Sequence, residues 1–82
     1  MKMIGDYQII RVELLGDTNF ALGFNKNAVE PYATWKSNGD DNYFWGHYFS
    51  NKDEATADYY KRISRHYRDR AEIKKQNDEN ER

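Results

Sequence analysis

The stretch that most limits what this chain can become is 31–49, PYATWKSNGDDNYFWGHYF. It gathers both tryptophans, three tyrosines and two phenylalanines around a turn signal, Asn38-Gly39 followed by Asp40-Asp41. Asn and Gly tolerate the positive φ that hairpin turns need to match the twist of their strands. The flanks, 32–36 and 42–49, are rich in aromatic and β-branched types that suit a pleated surface. Side chains alternate along a strand, so Ala33 and Trp35 are expected on one face, as are Tyr43, Trp45, His47 and Phe49. The opposite face is expected to carry Tyr32, Thr34, Lys36, Phe44, Gly46 and Tyr48. Pro31 cannot donate to a ladder and fits a strand start. Gly46 marks a bulge or the close approach of another chain.

The preceding residues read as partners for this hairpin. Residues 1–6 form a lead-in. Residues 7–15 read as a strand, with Ile10, Val12 and Leu14 on one face and Ile9, Arg11 and Glu13 on the other. Residues 16–19 are a turn cluster. Residues 20–24 read as a second strand, with Phe20, Leu22 and Phe24 inward and Ala21 and Gly23 outward. In the loop 25–30, Asn25 or Asn27 suits a left-handed position. Short connections favour sequential antiparallel pairing.

A helix follows Phe49. Ser50 with Asp53, or Asn51 with Glu54, can cap it. Asp53, Glu54 and Asp58 sit near its start, where the helix dipole favours acids. Ala55, Tyr59, Ile63 and Tyr67, with Tyr60 beside them, form an apolar stripe able to lie on a sheet. The pattern thins beyond Tyr67, which places the helix end near Lys75. The predicted architecture is therefore α+β: a four-stranded antiparallel β-meander packed by one C-terminal α-helix, a single ββββα domain over 1–75, and a polar disordered tail over 76–82.

Composition narrows the chemistry. A chain of 82 residues buries a modest core, and 16% aromatic residues enlarge it. There is no Cys, which excludes disulfides and thiolate metal sites. No apolar run is long enough for a membrane span, and a cytoplasmic location is expected. The net charge of −1 conceals a division. Residues 1–60 carry five basic and nine acidic side chains, residues 61–75 seven and two, and residues 76–82 one and three.

No catalytic motif stands out. His47 and His66 lack the neighbouring ligands or bases that metal binding or proton transfer needs. A structural or surface role is expected for both. Asp40 and Asp41 read as turn chemistry, since calcium-loop spacing is missing. No phosphate loop or nucleophile elbow is present. Neither an enzyme nor a cofactor nor a metal site is expected.

The basic segment is the stronger lead. Lys61, Arg65 and Arg68 fall on one helix side, with Arg62 and His66 on an adjacent stripe. The plain reading is a solvated face stitched by the i,i+4 pairs Asp58–Arg62 and Arg65–Asp69. The first functional reading is a non-enzymatic accessory or regulatory protein that binds a protein partner. It would use Tyr32, Phe44 and Tyr48 on an open sheet face and Arg62, Arg65 and Arg68 on the helix. Ile9, Arg11 and Thr34 would share that open face. A homodimer is one arrangement that would cover it. The alternative is a nucleic-acid-binding accessory protein, with Lys61, Arg62, Arg65 and Arg68 on phosphates and exposed aromatics stacking on bases.

The runs 27–35, NAVEPYATW, and 43–49, YFWGHYF, resemble small uncharacterised proteins carried on plasmids and integrative mobile elements of Gram-positive bacteria. The resemblance spans about residues 7–65. It implies a bacterial cytosolic accessory protein and assigns no catalytic residues.

Overall fold

The computed structural model describes residues 2–80, with side chains for 2–71. Five antiparallel strands lie in sequence order: β1 (Met3–Ile4), β2 (Tyr7–Leu14), β3 (Asn19–Phe24), β4 (Tyr32–Ser37) and β5 (Phe44–Phe49). One helix, α1 (Lys52–Asn80), follows. The α+β class and the antiparallel meander agree with the sequence reading. The sheet, however, has five strands, not four. The added strand comes from the lead-in, where Gly5 at φ +55° turns Met3–Ile4 back onto Tyr7 and Gln8. That is a two-residue hairpin with glycine at its first central position.

Two bulges correct the expected faces. In β2 the register shifts between Ile9 and Arg11, so Ile10 is the extra residue. Beyond it, Arg11 and Glu13 stand opposite Leu22 and Phe20 on the α1 side. Ile10, Val12 and Leu14 are exposed rather than inward, whereas Ile9 joins the second core described below. In β5, Thr34 pairs with His47 and Lys36 with Phe44, so the extra residue lies at Trp45-Gly46. Trp45 itself has φ +52°. A bulge displaces every later side chain by one face. His47 and Phe49 therefore face α1, as Phe44 does, while Tyr43 and Tyr48 face the other way.

The sheet curls, and each face has its own core. On the α1 side, Phe20 and Leu22 pack against Ala55 and Tyr59, with Leu15, Tyr32, Phe49 and Ile63 around them. On the other side, Ala21 and Ala33 pack with Trp35, ringed by Ile4, Tyr7, Ile9 and Tyr43. The Trp35 ring meets Tyr7 edge-on at 5.4 Å and Tyr48 at 6.2 Å, and Tyr7 lies 5.9 Å from Tyr48. Strands from both ends of the sheet thus meet over one indole. Glycine is required beneath it. A Cβ at Gly23 would lie 2.6 Å from Cζ3 of Trp35, and one at Gly46 would lie 2.9 Å from its Nε1. The close approach anticipated at Gly46 comes from this chain's own Trp35 and Tyr48.

The turns use side chains as much as left-handed backbone. Gly39 has φ +90°, but Asn25 and Asn27 have no positive φ. Instead the Asn25 side chain accepts from the Asn27 N–H at 3.0 Å, and Asp40 accepts from the Asn42 N–H at 3.0 Å. Asp41 pairs with Lys2, tying the start of the sheet to the central loop.

Asn51 caps α1, accepting from the N–H groups of Asp53 at 2.7 Å and Glu54 at 3.2 Å. Ala55 and Tyr59 are buried as expected, but Tyr67 is exposed and His66 takes its turn, edge-on to Phe20 at 5.9 Å. Each step of four residues overshoots a full turn by about 40°. A stripe of repeated i+4 steps therefore drifts off the sheet, and an i+3 step restores contact. Burial, with Glu13 and Tyr60 nearby, pushes the Tyr59 hydroxyl up to about 12. α1 passes the end expected near Lys75 and takes in residues 76–80. That segment contains no Gly or Pro to stop it. Glu81 and Arg82 lie outside the described residues.

Candidate functional site

Because the β5 bulge turns His47 toward α1, the ring meets a carboxylate from the first turns of the helix. His47 Nδ1 lies 2.9 Å from Asp58 Oδ2. The same oxygen accepts from the Thr34 hydroxyl at 2.6 Å, and Arg62 Nε is 3.8 Å away. Arg62 Nη2 lies 3.0 Å from His47 Nε2 and also donates to the Trp45 carbonyl. One proton placement satisfies the whole network: Nδ1 donates to Asp58 and Nε2 accepts from Arg62. Both ring nitrogens are then occupied.

The energetics follow from burial. Thr34 is completely buried, so its hydroxyl needs a partner and finds Asp58. Burial pushes the Asp58 carboxyl up. Hydrogen bonds from Thr34 and His47, with the Arg62 charge beside it, outweigh that and hold it below the ordinary carboxylate range. Burial lowers Arg62, and Asp58 partly restores it. Its Nη1 is buried without a hydrogen-bond partner, as is Nε2 of His66.

These groups form one wall of a cleft of about 390 Å³ between the sheet and α1. Lys36, Lys61 and Arg65 line it with Asp69, and Trp45 stands at its rim, 68% exposed. Lys36 Nζ sits 5.3 Å from the Trp45 ring centroid, within range of a cation–π contact. A left-handed backbone is costly for a bulky residue, on the order of 1–3 kcal/mol. Here it keeps Phe44 and Trp45 on the same side of the sheet and leaves the indole in solvent. A cleft of this makeup can bind an anionic group and stack a planar one.

Of the residues expected to bind nucleic acid, Lys61, Arg62 and Arg65 line the cleft, while Arg68 does not. Arg62 is spent on internal contacts and organises the wall. The residues expected on an open protein-binding face are divided. Tyr32 packs into the core under α1, Phe44 is half-buried beside Trp45, and Tyr48 lies on the opposite face against Trp35. Arg62 and Arg65 are on the α1 side. Of the two helix pairs, Asp58–Arg62 forms. Arg70 and His66 instead approach Asp17 in the β2–β3 turn, at 3.6 and 4.0 Å.

Sequence reasoning missed Thr34, Asp58, Lys36 and Trp45 as one site. The visible signal was Gly46 as a bulge marker, and carrying that bulge through the alternation would have placed His47 opposite the helix. Among the described residues no cluster of metal-ligating side chains occurs, and no helix is long and apolar enough to cross a membrane. Comparison with family models, curated protein sequences and solved structures finds no match for the chain, and so none bears on a mobile-element origin.

Proposed function

We propose that this protein is a non-enzymatic binding module for single-stranded nucleic acid, with the cleft between β5 and α1 as its binding site. The observation that carries this reading is Trp45, held in solvent by a strained backbone beside Lys36, Lys61 and Arg65. Single-strand binders combine a stacking ring with cations that follow the backbone. The volume, near the lower end of ligand pockets, suits a nucleotide or two rather than a duplex. The occupied nitrogens of His47 support binding over proton transfer, because neither is free to shuttle a proton.

Tryptophan fluorescence tests the reading directly. Trp35 is buried and Trp45 exposed, so added strands act on the second. Single-stranded oligonucleotides should quench it saturably. With three phosphate contacts, the logarithm of affinity should fall against the logarithm of salt with a slope of about −2. Arg65→Glu should abolish the response, whereas Arg68→Glu, outside the cleft, should change it little. Absence of quenching by single-stranded DNA and RNA at low salt overturns the proposal.

A further inference from the structure

The second unexplained surface is the outer edge of β2. β1 covers only its first residues, pairing with Tyr7 and Gln8, and Ile9 N–H reaches Lys2. From Ile10 to Leu14 the edge has no partner strand among the described residues. It presents Ile10, Val12 and Leu14, exposed by 38, 45 and 68%. Natural sheets blunt such edges with bulges, charges or cover, because an open apolar edge templates pairing with another chain. The opposite edge is treated in that way, broken by the bulge at Trp45-Gly46. The β2 edge has its own bulge at Ile10, and from Arg11 to Leu14 it is regular.

We propose that this edge is a homodimer interface, in which two copies of β2 pair antiparallel about a two-fold axis through Val12. The sequence around that axis is self-complementary. Val12 meets Val12 of the second copy, and on either side of it Arg11 meets Glu13. The Arg11–Glu13 contact occurs twice, once on each side of the axis, as an isologous interface requires. Arg11 and Glu13 lie on the same face: Arg11 donates to the Tyr60 hydroxyl, and Glu13 acts on Tyr59. The opposed charges would therefore meet across the junction, and opposite charges directly across an antiparallel pair are stabilising. The two sheets become continuous, and the nucleic-acid cleft of each copy stays clear of the junction.

Sedimentation equilibrium across a concentration series tests this with charge exchange. The natural chain should dimerise. Arg11→Glu places Glu opposite Glu twice per dimer, and Glu13→Arg places Arg opposite Arg twice. Each should weaken dimerisation roughly tenfold or more. The double variant R11E/E13R restores both pairs and should dimerise like the natural chain. Mixing the two single variants should give a heterodimer, which neither forms with itself. Far-UV circular dichroism confirms folding in each case. A natural chain that stays monomeric at its highest soluble concentration overturns the proposal. So does a dimer indifferent to the single exchanges, or a double variant that fails to recover while folded.

Discussion

The two faces of the sheet are buried by different means. The α1 face is covered by a separate element, brought in by the Ala55 and Tyr59 stripe and fixed by Asp58 on Thr34 and His47. The other face covers itself, as β2 and β5 curl until Tyr7 and Tyr48 meet over Trp35. The first route leaves polar groups at its margin, and there the cleft opens. The second needs one large ring and two glycines beneath it, and is built from apolar and aromatic side chains. A small chain can thus have two cores on one sheet, one with room for a site and one serving as its support.

The largest test of that contrast is Trp35→Ala. It removes the centre of the self-covered core and should cost about 3–5 kcal/mol in chemical denaturation. A loss no larger than that of a surface change would break the comparison. Gly23→Ala comes next. Its Cβ would overlap the indole, and the strain should cost about 1–3 kcal/mol. In the Trp35→Ala background most of that cost should vanish, leaving the 3.2 Å approach to the Gln8 carbonyl.

The smallest effect belongs to the helix-covered face. Asp58 titrates below its unfolded value of about 3.9, so the unfolded chain binds more protons there. Its contribution is complete above about pH 4 and is lost as pH falls through the lower folded value. Asp58→Asn should therefore cost about 1 kcal/mol near neutrality, discounted for partial exposure. That difference should shrink on acidification. Denaturation midpoints of both proteins from pH 7 to pH 2 check the sign.

How much of this was legible in the sequence depends on where alternation holds. It holds in β4, so Trp35 beside Ala33 was readable, and the cap at Asn51 was readable from its side chain and position. It fails at Ile10 and at Trp45-Gly46, where one extra residue exchanges the faces. The apolar run Ile10, Val12 and Leu14 reads as core by period alone, yet the bulge turns it to solvent. The cleft was hidden for the same reason, because Thr34, His47 and Asp58 meet only after the β5 bulge is counted. Met3–Ile4 was too short to carry a strand pattern, although Gly5-Asp6 marked its turn.

Every strand of the meander pairs with its neighbour in the chain. Closing such pairs costs little loop entropy, and topologies dominated by local contacts fold quickly. The distant returns are those of α1 onto β3, β4 and β5 and of Tyr7 onto Tyr48. As the chain leaves the ribosome, the sheet and its Trp35 core can therefore assemble before the helix emerges. Until then Phe20, Leu22 and Thr34 lie bare, and the cleft comes into being only when α1 docks.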